Sequence, residues 1–176
     1  DRAAEQFACQ QASKLGVGEE ILYMDADGIK ISKFIDQTKE FDFLCTSDIK
    51  AGAALLRKLH AACIDAPFGF DHLKQIENMK ACMSPTAQND WVDLPNVETV
   101  EAMVKQLDVY VKNDNWPRCL VHGDPKGPNI LVSEKAYTLI DWEYAGMNDG
   151  MWDVADVSIE ACFDAESDRL LLSAYL

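Results

Sequence analysis

Two acidic loops, each entered from a short apolar strand and separated by one hairpin, constrain this chain more than any other feature. The stretch LVHGDPKGPNILV (Leu120–Val132) places His122, Asp124 and Asn129 in one loop, and LIDWEYAG (Leu139–Gly146) brings Asp141 and Glu143 to the end of the next strand. Apolar runs bounded by Gly, Pro and charged residues predict a strand from Arg118, a strand over Ile130–Val132, a turn near Glu134–Lys135 and a strand over Tyr137–Ile140. A single loop Asp or Asn is most simply a turn former. The full pattern, HxDxxxxN followed by strand, turn, strand and Asp, fits phosphoryl transfer from ATP, which needs a carboxylate to take the acceptor's proton and an amide and a carboxylate to hold magnesium.

Composition narrows the partners. With 176 residues, 48% of them hydrophobic and 26% charged, the chain can build one good core. Sixteen Lys and Arg against 30 Asp and Glu give a net charge of −14, which opposes binding to nucleic-acid phosphates or anionic lipid. The excess suits a cationic substrate, and it equally serves solubility. No apolar run is long enough for membrane insertion and no signal peptide is evident, so a cytoplasmic protein is expected. Cys9, Cys45, Cys63, Cys82, Cys119 and Cys162 are widely spaced without a CxxC pair and read as reduced, mostly core cysteines. His60, His72 and His122 fall at no metal-ligand spacing.

Elsewhere the pattern is helix, strand, strand, then mostly helix. Residues 2–15 predict a helix with Ala3, Phe7, Ala8, Gln11 and Leu15 on related faces and Gly16 as its stop. Glu20–Met24 and Ile29–Ile35 predict a hairpin turning at Asp27-Gly28. After a loop through Gln37 and Lys39, Ser47 is the expected N-cap of a helix whose face is Ile49, Ala53, Leu56, Leu59 and Cys63. Helices over 71–83 and 97–111 flank a polar loop holding Pro85, Asn89 and Pro95. A loop from Asp141 then leads to helices over 151–162 and from Ala165 onward.

With its catalytic loop, DWEYAGMND and MWDVADVSIEACF, the chain resembles the choline kinase and aminoglycoside phosphotransferase branch of the protein-kinase-like fold, most of all bacterial-type choline and ethanolamine kinases. The resemblance implies an α+β, two-lobed fold with part of a small ATP-binding lobe and hinge over 1–36 and a mainly helical catalytic and substrate lobe over 37–176. It implies ATP and Mg2+ as cofactors and choline, or a similar small amino alcohol, as substrate. Asp124 then matches the catalytic base, Asn129 and Asp141 the magnesium ligands, and His122 the brace of the loop. Glu143 matches a carboxylate beside metal and substrate, its other reading being a solvated loop residue. Lys126 either approaches the transferred phosphate or is an exposed loop lysine. Asp153 matches an aspartate that anchors the catalytic loop.

Glu160, seven residues beyond Asp153, matches the acid that faces the quaternary ammonium. Such a group donates no ordinary hydrogen bond and is recognised by negative charge and aromatic faces, for which Tyr144, Trp142 and Trp152 are candidates, with core packing as their other reading. Upstream, KISKFID resembles the family's hinge, where backbone groups of Lys33, Phe34 and Ile35 would receive adenine, and Glu5 matches the glutamate that pairs with the ATP-binding lysine. No Gly-rich loop or strand lysine precedes that helix in the given sequence, and the last residues fall mid-helix, so the 176 residues alone are expected to bind ATP weakly and turn over poorly. The competing readings are a kinase of the same branch for ethanolamine, an amino sugar or an aminoglycoside, and a non-catalytic pseudokinase serving as a binding module.

Overall fold

The computed structural model describes residues 2–87, 95–113 and 116–176. It divides into two compact units, one formed by Asp1–Phe70 with Arg118–Leu176 and the other by Asp71–Pro117. The Leu139 amide donates to the Val17 carbonyl at 2.8 Å and ties the start of the chain to a late strand.

In the first unit, helix α1 (Arg2–Leu15) buries Ala4, Glu5, Ala8, Cys9 and Ala12. That face is rotated from the expected one because its small residues let the helix approach the core closely, while Phe7 and Leu15 pack at its flanks. Hairpin strands β1 (Ile21–Met24) and β2 (Lys30–Ser32) are antiparallel, and the Asp25 carboxylate closes the turn by accepting the Asp27 and Ile29 amides at 3.0 Å each. Strand β2 is shorter than predicted, ending at Ser32, with Lys33 and Phe34 exposed beyond it.

A short strand that the sequence did not reveal, β3 (Lys39–Glu40), pairs with β5 (Ile130–Val132), which pairs in turn with β6 (Tyr137–Leu139), both antiparallel. Helix α2 (Thr46–His60) begins after Cys45, so the expected cap Ser47 lies inside its first turn. The first turn is fixed instead by buried Asp48, which accepts from Tyr137 Oη at 2.7 Å, the Asp42 amide at 3.1 Å and Lys39 Nζ at 3.2 Å. Its inner face, Ile49, Ala53, Leu55, Leu56 and Leu59, meets Leu120, Ile130, Leu139, Trp142 and Leu171 in one core. Each fully buried Leu or Ile there contributes roughly 1.5–3 kcal/mol.

Strand β4 (Arg118–Val121) pairs antiparallel with β7 (Gly146–Asp149), a second strand absent from the sequence reading, where a loop was expected. Helices α5 (Met151–Glu160) and α6 (Ala165–Tyr175) follow, the latter capped by Asp164, whose carboxylate accepts the Glu166 and Ser167 amides.

The second unit holds α3 (His72–Cys82), capped by Asp71, and α4 (Val97–Asn113), with Lys112 bonded to Asp108 at 2.9 Å. A cavity of about 370 Å³ within it is lined by Leu73, Ile76, Val97, Val100 and Val104. The expected loop residue Asn89 lies outside the described residues.

All six cysteines are free, but only Cys9 and Cys119 are buried. Cys63, Cys82 and Cys162 are exposed, against the expectation of a mostly core set, because each lies at or just past a helix end. Among the described residues no helix is long and apolar enough to cross a membrane.

Candidate active site

Strand β4 delivers its last residue, Val121, into a loop that folds back on itself through its own polar groups. Gly123 has φ 87°, and a Cβ there would lie 2.4 Å from the Tyr144 carbonyl oxygen, so both conformation and space require glycine. A Gly123→Ala protein is expected to lose at least about 2 kcal/mol in urea unfolding; a loss below about 0.5 kcal/mol would mean the loop relaxes freely. Pro128 lies in the single 3₁₀ turn Gly127–Asn129, which fixes the far end of the loop.

Beneath the loop lies Asp153, fully buried in the first turn of α5. Its Oδ2 accepts the His122 amide at 2.7 Å and lies 3.0 Å from His60 Nε2, and its Oδ1 accepts the Gly123 amide at 2.8 Å. His60 Nδ1 is in turn 2.8 Å from Tyr175 Oη. His122 donates from Nε2 to the Ile140 carbonyl at 2.9 Å, which leaves Nδ1 to accept the Asp124 amide at 3.3 Å. Burial lowers the imidazole pKa and keeps the ring neutral, although Asp153 pulls the other way. His122 thus links the backbone of Ile140 to that of Asp124.

Asp124 and Asn129 meet directly. Asn129 Nδ2 donates to the Asp124 carbonyl at 2.9 Å and to Asp124 Oδ2 at 3.0 Å. Lys126 Nζ donates to the same Oδ2 at 2.6 Å, with its side chain 40% exposed. The hydrogen bond to Asp124 raises the Lys126 pKa despite desolvation, and Asp141 and Glu160 add to it, so the ammonium stays charged at the centre of an acidic cluster. Asp141 itself is exposed, at φ 67°, just past β6, whose neighbouring Ile140 amide donates to the Asn129 carbonyl at 3.0 Å. The two loops are thus joined by backbone, and Asp141 acts on the same ammonium that contacts Asp124.

The remaining expected residues divide. Tyr144 is half-buried, its hydroxyl pKa raised by burial and then by Glu143 and Asp124, which places it beside the loop. Glu143 is exposed. Glu160, at the end of α5, is exposed and acts on Lys126. Trp142 has no exposed face: it is wholly buried, its ring tilted against His122 with centroids 4.6 Å apart and Nε1 donating to the Leu139 carbonyl at 3.3 Å. Trp152 packs edge-on against Phe70 at 5.3 Å.

On the nucleotide side, the Lys33 amide is already spent on the Glu20 carbonyl at 2.8 Å and its ammonium on the Glu20 carboxylate at 2.9 Å. Of the other two expected hinge residues, Phe34 is 86% exposed and Ile35 is half-buried. Glu5 is buried and bonded to Arg2 at 2.8 Å.

Sequence reasoning missed His60 and Asp156. His60 carries no local signal, since its partner lies 93 residues away. Asp156 was detectable as the middle member of an acidic row, Asp153, Asp156 and Glu160, at helical spacing.

Comparison with known proteins gives concordant matches. The profile of the phosphotransferase enzyme family matches residues 46–176. Protein LicA of Haemophilus influenzae is 24% identical over 182 residues, covering 99% of this chain and 52% of its own length, so the chain spans about half the length of that curated relative. A choline/ethanolamine kinase family protein from Mesorhizobium loti superposes with TM-score 0.81 at 26% identity, over 99% of this chain and 61% of that one. The choline kinase LicA from Streptococcus pneumoniae superposes with TM-score 0.85 at 24% identity, over 100% of this chain and 62% of that one.

Proposed function

Because this chain belongs to the phosphotransferase enzyme family and has the kinase-like fold of that group, we propose that it moves the γ-phosphoryl group of ATP onto the hydroxyl of choline. The observation that carries this reading is the Asp124 carboxylate, which Asn129 and Lys126 hold by one oxygen. Both donors converge on Oδ2, and Oδ1 would take the proton of the acceptor hydroxyl as its oxygen attacks phosphorus. Lys126 would meet the negative charge that spreads over the transferred group.

The residues fit magnesium. Among the described residues no three His, Cys, Asp or Glu side chains are gathered as a ready metal cage. Magnesium, however, is usually held by one or two carboxylates, with substrate phosphates completing its shell. Asn129 spends its amide nitrogen on Asp124, which leaves its carbonyl oxygen as the donor for a cation, and Asp141 supplies a carboxylate, with Glu143 next along the same loop. When bound, the ion would neutralise phosphate charge.

Residues 1–36 would serve the nucleotide, with Phe34 and Ile35 at the adenine and Glu5 inside the lobe, and residues 37–176 the chemistry and the acceptor. Tyr144 and Glu160 would face the ammonium head. The protein would work in the cytoplasm, where ATP is abundant. The test is phosphorylation of choline, ethanolamine and kanamycin by the full-length protein. Choline is expected to give the highest kcat/KM; preference for kanamycin would overturn the choline assignment while leaving the phosphotransferase reading in place.

A further inference from the structure

Asp156 stands out among the charged groups that the catalytic scheme does not use. It lies three residues after Asp153, which anchors the catalytic loop, and four before Glu160, so all three acids follow one side of α5. Its Oδ2 is shut off from solvent and has no hydrogen-bond partner among the described residues. Buried acceptors are almost always paired, and leaving one unpaired costs stability, so the position calls for a partner that the described residues do not supply.

The charged groups that act on Asp156 are Asp124, Asp153, Glu160 and Lys126. Lys126 is already bonded to Asp124. What remains is negative, and it favours a cation.

Resting on the choline reading above, we infer that Asp156 is a specificity-determining residue of the acceptor site, supplying with Glu160 a second carboxylate for the positive head of a cationic alcohol. Burial first, and then Asp124, Asp153 and Glu160, push its carboxyl up to about 7. A cation arriving beside it favours the ionised form, so acceptor binding is coupled to release of a proton near neutrality. Acceptor affinity therefore rises with pH through that range.

The linkage also runs through stability. Between the ordinary aspartate range and pH 7 the unfolded chain ionises at this residue while the folded one stays protonated, so the folded state loses stability as pH rises and the full penalty is present above 7. Asp156→Asn removes that penalty. The variant is expected to melt higher than wild type at pH 8 and equally near pH 4.

The deciding experiment compares choline with dimethylbutanol, the neutral isostere in which carbon replaces the ammonium nitrogen, in full-length wild type and Asp156→Asn. The expected result is a KM for choline about ten- to a hundredfold higher in the variant, the size of one lost charged contact, with the KM for the neutral alcohol and for ATP unmoved. The pH dependence of the choline KM around neutrality should vanish as well. A wild type that prefers choline, together with an unchanged choline-to-dimethylbutanol ratio in the variant, would overturn this inference alone. A wild type that prefers the neutral alcohol would overturn both it and the choline reading.

Discussion

Asp124→Asn in the full-length protein is expected to lower turnover by about a thousandfold or more, within the range for loss of a general base, while ATP and acceptor still bind. The substitution keeps the volume of the side chain, and the amide oxygen can still accept from Asn129 and Lys126, so the loop that holds it should survive. What it removes is a proton acceptor at the point where the hydroxyl attacks. Steady-state kinetics with unfolding curves in parallel would separate chemistry from folding. Turnover within tenfold of wild type would reject Asp124 as the base and revive the reading of this fold as a binding scaffold.

Asp153→Ala is expected to produce the largest loss of stability, about 3–5 kcal/mol, the scale for removing one partner from a buried charged network. One wholly buried carboxylate satisfies the His122 and Gly123 amides and faces His60 Nε2. Deleting it strands two backbone donors and a ring nitrogen away from water. Asp153→Asn keeps one acceptor oxygen and should lose less, so the pair of variants scales with the number of donors left unpaired. Urea unfolding is the measurement, and a loss under about 1 kcal/mol for Ala would mean that water or backbone shifts replace the carboxylate.

The Asp153 network explains why part of the site was legible and part was not. Asp124 and Asn129 lie five residues apart, and a loop pinned between two strands holds them together with little help from elsewhere. Asp153 was expected to anchor that loop, but the manner of anchoring was hidden: it runs through α2 by way of His60 and on to Tyr175 at the end of α6. Trp142 shows the converse. Its place in an acidic loop suggested a substrate face, yet packing over His122 and under the core turns it inward. The Lys33 amide was likewise lost to a hairpin contact with Glu20 that no spacing rule contains.

The sequence by itself determined the chemistry-bearing loops, the hairpin between them and most helix positions, since these depend on residues within a turn or two of each other, where backbone preference and apolar period act. Only the tertiary structure decided that β7 lies against β4 where a loop was expected, that α1 turns its small residues inward, and that Asp156 Oδ2 is shut off from solvent with no hydrogen-bond partner among the described residues. Those outcomes are set by which distant surfaces exclude water together, and burial of that kind is a property of the assembled core, not of any local run of residues.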